Sequence, residues 1–150
     1  MTESETKRLR ELEQREAARE AIFQYALGLD TNNPDLLRRV FAEDMEFDRP
    51  PADICHGREA AMVHFDAALA GNVERLKHFI TNPIITSTGE NTLAAQANLF
   101  ALVHIEDALS LAFGHYQINV RVDGDTAVIT KLGIYLDVST APVRGMLGRD

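Results

Sequence analysis

The hydrophobic rhythm of the chain changes once. Up to about residue 70 apolar positions recur mostly at helical spacing, and from Leu76 to Val138 they follow the longer rhythm of extended strands. Residues 3 to about 29 read as one long helix. Its second half carries the stripe Ala18, Ile22, Tyr25, Ala26 and Leu29, while the part before Glu13 is mixed charge, a start that is frayed or used in contacts between copies. Asn33 before Pro34 is an N-cap and first-turn signature, so a short helix follows to about Phe41. Met45-Glu46-Phe47 alternates like a short strand that Asp48-Arg49-Pro50-Pro51 ends. Gly57 precedes a third helix, about Arg58 to Ala70, with Ala61, Phe65, Ala68 and Leu69 as its buried stripe and Gly71 as its stop.

Four long strands then follow: Leu76 to Thr86, Leu93 to Glu106, Leu109 to Val122 and Thr126 to Val138. Thr88-Gly89-Glu90-Asn91, a tighter turn near Glu106-Asp107, and Asp123-Gly124-Asp125 separate them. Pro83 inside the first long strand implies an edge or a bulge, since proline cannot donate to a ladder. Residues 139–150 read as a loop or loosely docked tail. Three helices before a long antiparallel meander give an α+β fold. The expected architecture is a cone-shaped α+β barrel, a strongly curved, mostly antiparallel sheet wrapped around the helices. The chain reads as one domain over residues 1–150, with its core at about 13–138.

Composition narrows the partners. The 150 residues are 45% apolar and 25% charged, an ordinary globular balance. Fifteen basic against 23 acidic residues leave a net charge of −8, which repels phosphate backbones and anionic lipid. Neither nucleic acid nor a membrane surface is expected as a partner. Cys55 is the single cysteine, so no internal disulfide or CxxC pair exists, and it reads as a small, partly buried apolar residue. The charged first twenty residues lack the apolar core of a signal peptide, and a cytoplasmic protein is the expectation.

The candidate chemistry lies in histidines and one carboxylate. His56 and His64, before and on the third helix, read as surface or helix-packing residues. His78 shares a strand face with Ile80 and Asn82; His104 shares one with Asn98, Phe100 and Leu102, a mixed set suited to a pocket wall, although the opposite face is apolar too. His115, Gln117 and Asn119 form a polar face that is either solvent or a wet pocket. Asp30 ends an apolar helical stripe five residues after Tyr25; taken alone, it is a turn residue in water.

Tyr25-Ala-Leu-Gly-Leu-Asp30, Asp35-Leu-Leu, Phe41-Ala-Glu-Asp44, Gly57-Arg-Glu-Ala60, Lys77-His-Phe-Ile-Thr-Asn-Pro83 and Gly124-Asp-Thr126 together resemble SnoaL-like domains of the nuclear-transport-factor-2-like superfamily. The resemblance spans roughly residues 15 to 138. It implies the cone fold and, by similarity to scytalone dehydratase, hexachlorocyclohexane dehydrochlorinase and bile-acid 7α-dehydratase, a catalytic Asp30–His78 dyad. Tyr25 falls on a further pocket position of those enzymes, His104 near a second catalytic histidine, and His115 on a pocket asparagine. The second acid of the bile-acid enzyme falls near Ala101 and the late arginine of the dehydrochlorinase near Ile134, so neither substrate class is implied.

The expected function is therefore a cofactor-independent lyase of dehydratase type, or an isomerase. It would act on a small hydrophobic, cyclic or polyketide-like molecule through Asp30, His78 and Tyr25, with His104, His115 and Phe100 binding substrate. No metal is expected, because no HxH or HxxxH spacing is present. The same fold also serves non-catalytic small-molecule binders and assembly subunits. A homodimer or homotrimer is expected.

Overall fold

The computed structural model describes residues 2–70, 73–105, 108–124 and 126–144, the side chains of Val73, Glu74 and Ile105 excepted. Helix α1 (Glu3–Asp30) begins with a reciprocal capping box between Thr2 and Glu5. The start is thus held, not frayed. Gln14 donates to the Glu90 carbonyl at 2.9 Å and Arg10 to Asn91 at 3.0 Å, tying the charged half of the helix to a turn of the sheet. The stripe from Ala18 to Leu29 is buried as expected. Each large apolar side chain in it contributes roughly 1.5–3 kcal/mol.

Helix α2 (Pro34–Val40) starts as its sequence dictates: the Asn33 side chain accepts from the Leu36 N–H at 3.0 Å, a cap worth about 1 kcal/mol. Strand β1 (Phe41–Asp48) is longer than the three residues expected, because it pairs in parallel with β6 (Thr126–Ser139). The two-residue β2 (Cys55–His56) lies beside it, with Cys55 partly buried against the core. Helix α3 (Arg58–Leu69) buries Ala61, Met62 and Phe65. Ala68, expected in its stripe, is exposed, and Gly71 lies outside the described residues.

Strands β3 (Val73–Ser87), β4 (Thr92–Ile105), β5 (Ala108–Asp123) and β6 form the meander close to the expected boundaries. The Glu106-Asp107 turn and Asp125 lie outside the described residues. The sheet runs β2-β1-β6-β5-β4-β3 and does not close into a full barrel, so β3 is an edge. Pro83 meets both expectations. It sits on that edge strand, within a register shift between Thr81 and Ile84, where Asn82 takes a positive φ of 54°. A second shift, between Phe113 and Gly114, bends β5 against β6. Only glycine fits there, since a Cβ would lie 2.0 Å from the Tyr135 carbonyl oxygen. These bulges let the long strands curl around α1 and α3.

The tail is not all loop. Strand β7 (Val143–Arg144) pairs with Leu109 and Ala108 of β5, and Thr140 exchanges hydrogen bonds with Leu111 at 2.9 and 3.0 Å. On the outer sheet face Phe79, Phe100, Phe113 and Val138 align across four strands, the two flanking ring pairs stacked at 5.4 and 4.9 Å. Phe79, Phe113 and Val138 are 48%, 45% and 56% exposed. No described helix is long and apolar enough to cross a membrane.

Candidate active site

Strand β3 has a neighbour on one side only, so the outward half of its N–H groups needs acceptors from elsewhere. The end of α1 supplies one. Asp30, the last residue of that helix, accepts the backbone N–H of His78 at 3.0 and 3.2 Å through its two oxygens. Its Oδ1 also accepts from Nδ1 of the same histidine at 2.8 Å. The side chains are only 12% and 10% exposed. A carboxylate on Nδ1 fixes the proton there and leaves Nε2 as the basic nitrogen. Lys77 lies 3.9 Å from Oδ2 but is half in solvent, where such a contact contributes little.

Inside the cone is a cavity of about 210 Å³. Leu29, Phe65, Leu76, Leu99, Ala101 and Ile134 make its apolar walls; Tyr25, Arg49, His64, His78 and Tyr116 are its polar groups. An engineered apolar cavity of about 150 Å³ holds benzene, so this one suits a molecule of about one ring. A wider hollow of about 510 Å³ adjoins it and is lined by Asp30, Arg75 and Lys77. Asp30 lines this outer hollow and His78 the inner cavity, so the bonded pair links the two spaces.

Tyr25 is fully buried, its ring 6.3 Å from that of His78 and edge-on to Tyr116 at 5.9 Å. Burial, and then its interactions with Tyr116, push its pKa well above the ordinary value, while Arg49 opposes the shift. Tyr116 is likewise raised, chiefly by burial. Both phenols thus remain proton donors at neutral pH. Arg49 places a guanidinium N–H 3.3 Å from Nε2 of His64. Burial, and secondly the Arg49 charge, hold the His64 pKa below its usual value, so this imidazole is neutral and accepts.

Phe100 and His104, expected on the pocket wall, are corrected by the pleat. Leu93, Ala95, Ala97, Leu99 and Ala101 are the buried inner face of β4, which puts Phe100 and His104 on the opposite side. Phe100 belongs to the outer aromatic row, and His104 is buried near the strand's end. His115 is also outward, stacked on Tyr135 at 5.1 Å and 4.0 Å from Asp137, in a groove on the convex face. Tyr116 is the inward neighbour.

Tyr116, Arg49 and His64 escaped the sequence reading, although each left a signal. Arg49 continues the inward parity of Met45 and Phe47; His64 lies three residues after Ala61 on the packed helix face. Among the described residues no three His, Cys, Asp or Glu side chains cluster as a metal site would require.

The raised tyrosines generate a pH prediction. A folded-state pKa above the unfolded value stabilises the fold below about pH 10 and loses that contribution as pH rises through the folded pKa. The chain has three tyrosines, and Tyr135 is raised as well, mainly by its 2.6 Å bond to Asp48. An alkaline titration followed by tyrosinate absorbance should therefore show at most one tyrosine ionising in the native protein near pH 10. The other two ionise together with unfolding. Two or more ionising reversibly at an ordinary midpoint would contradict the burial described.

Comparison with known proteins agrees with this architecture. In fold the chain is similar to a protein of Novosphingobium aromaticivorans provisionally assigned as a scytalone dehydratase, with a TM-score of 0.80 at 20% identity, covering 93% of this chain and 97% of that one. It is also similar to the hexachlorocyclohexane dehydrochlorinase LinA-type3 of Novosphingobium barchaimii LL02, with a TM-score of 0.82 at 16% identity over 95% and 98% of the two chains. A nuclear-transport-factor-2-like protein with a cystatin-like fold, again from Novosphingobium aromaticivorans, gives 0.70 at 21% identity over 88% and 87%. No curated protein matches the sequence. The SnoaL-like domain profile matches residues 10–133, most of the length, and the chain belongs to the SnoaL-like domain family.

Proposed function

We propose that this chain is a cofactor-independent lyase of the dehydratase type, or an isomerase using the same proton abstraction, acting on a small hydrophobic ring or polyketide-like molecule. The observation that carries the reading is the 2.8 Å contact between Asp30 and Nδ1 of His78 at the edge of an apolar cavity. Similarity of fold to a dehydrochlorinase and a dehydratase-like protein supports it.

In this reading Nε2 of His78 removes a proton from carbon beside a substrate carbonyl. Asp30 stabilises the imidazolium that forms, and a phenol of Tyr25 or Tyr116 donates to the carbonyl oxygen as charge develops there. In elimination the electron pair of the broken C–H bond becomes a C=C bond, and the leaving hydroxyl takes the proton from His78 to depart as water. In isomerisation the proton returns to a different carbon. His104, His115 and Phe100, on the far side of the sheet, have no part in it.

The outer row of Phe79, Phe100, Phe113 and Val138 belongs to the same proposal as the contact between copies in a homodimer or homotrimer. A second copy brings an identical row, and a self-complementary apolar strip suits a symmetric interface. Light scattering should give a dimer or trimer mass for the wild type and a folded monomer for Phe113→Asp. A monomeric wild type would end that part.

The catalytic reading is tested with a panel of cyclic β-hydroxyketones, followed by enone absorbance, and of cyclic ketones, followed by deuterium uptake from heavy water. His78→Ala should lower turnover about 10²–10⁴-fold, the usual worth of a positioned base. Asp30→Asn should lower it less than His78→Ala but by at least about 10-fold, since the base remains and only its orientation and imidazolium stabilisation weaken. Activity of His78→Ala within threefold of wild type would refute the role of the histidine. Binding of the panel with neither exchange nor elimination would select a non-catalytic binding domain instead.

A further inference from the structure

Arg49 is a cation with no carboxylate paired to it among the described residues. Among the described residues no carboxylate lies within ion-pair distance of its guanidinium, and its one side-chain hydrogen bond goes to His64, at 3.3 Å. The adjacent Asp48 is engaged by the Tyr135 hydroxyl at 2.6 Å. Yet Arg49 is only partly exposed and lines the same 210 Å³ cavity as His78. Both Tyr25 and Tyr116 feel its charge. Removing a guanidinium from water is costly unless an anion compensates, and a neutral imidazole cannot.

His64 does something else. Its ring is wedged between Phe47 and Phe65, at centroid distances of 5.0 and 5.7 Å, so it is a fixed acceptor on a rigid helix. It occupies one N–H of the guanidinium and aims the fork. Arginine's remaining donors form a planar fork that matches the two oxygens of a carboxylate.

We propose that Arg49, positioned by His64, is the specificity-determining residue of the cavity, and that it selects a substrate carrying a carboxylate on its small apolar body. The carboxylate lies on the side formed by β1 and α3, and the reacting carbon on the β3 side, facing His78. This rests on the reading of His78 as a base only for where the carbon lies, not for the recognition itself. The net charge of −8 sharpens the inference. The protein as a whole repels anions, so a preference for an acid over its neutral analogue has to come from a local cation.

The probes are benzoate and benzamide, and 1-cyclohexene-1-carboxylate with its amide, pairs of nearly equal size that differ in charge. Dissociation constants are measured by calorimetry on the full chain at pH 7.5 and fixed ionic strength. The wild type should bind each acid at least about 10-fold more tightly than its amide, because a charge-assisted bidentate contact in a partly dry site exceeds a neutral one. Arg49→Gln should bring the ratio to about one without weakening the amide. Arg49→Lys keeps the sign and loses the fork, so an intermediate ratio is expected, and it carries the test should Arg49→Gln not fold. His64→Ala should reduce the ratio severalfold while leaving Arg49 charged.

A wild type that binds acid and amide equally, or neither, overturns the proposal, as does an acid preference that survives in Arg49→Gln. The two readings separate cleanly. His78→Ala should retain the acid preference, and if the acids bind selectively while none of the cyclic ketones and β-hydroxyketones undergoes proton exchange or elimination, the base assignment fails and the arginine assignment stands.

Discussion

The carboxylate of Asp30 joins the helical layer to the free edge of the sheet. It accepts both the main-chain N–H and the ring N–H of one residue, His78. A carboxylate at a helix C-terminus opposes the helix dipole, so its position is sustained by these donors and not by the helix itself. Charge-assisted hydrogen bonds contribute about 1.5–3 kcal/mol. The same contacts close an edge that would otherwise expose unpaired backbone and set a histidine ring at the cavity wall.

From that anchor the cavity acquires a polarity. Asp30 and His78 lie at its β3 side, and Arg49 with His64 at the side of β1 and α3. Tyr25 and Tyr116 stand within reach of both fields, their protons held by burial and their pKa values pulled in opposite directions by Asp30 and Arg49. A base, two proton donors and a cation around an apolar space of one-ring size form a short list of chemistries. The proposed proton abstraction beside a carbonyl would draw on the base and a proton donor, with the arginine in the proposed recognition role.

Much of this was legible in the residues themselves. The stripe of α1, the Asn33-Pro34 cap and the four long strands follow from spacing and capping chemistry, and Pro83 pointed to the bulged edge on which His78 rides. The resemblance to the family directed attention to Asp30 and His78, a contact across 48 residues that no local pattern encodes. What failed was the choice of face on β4. Phe79, Phe100 and Phe113 make the convex side apolar as well, so alternation does not separate inside from outside on β4, and Phe100 and His104 face away from the cavity; on β5 the polar face of His115, open between solvent and pocket by sequence, is the outer one. By sequence, Arg49 belongs to the segment that ends a strand and His64 reads as a surface or helix-packing residue. Their meeting depends on how β1 and α3 pack, which sequence periodicity does not report.

The claim on which the account turns is that Asp30 holds the proton of His78 on Nδ1 and leaves Nε2 free to act as a base. Nitrogen-15 NMR of the imidazole side chains reads this directly, by assigning which ring nitrogen bears hydrogen at a pH where His78 is neutral. The Nδ1–H form is expected for His78 in the wild type, and its loss in Asp30→Ala. A neutral His78 found with its proton on Nε2 in the wild type would contradict it.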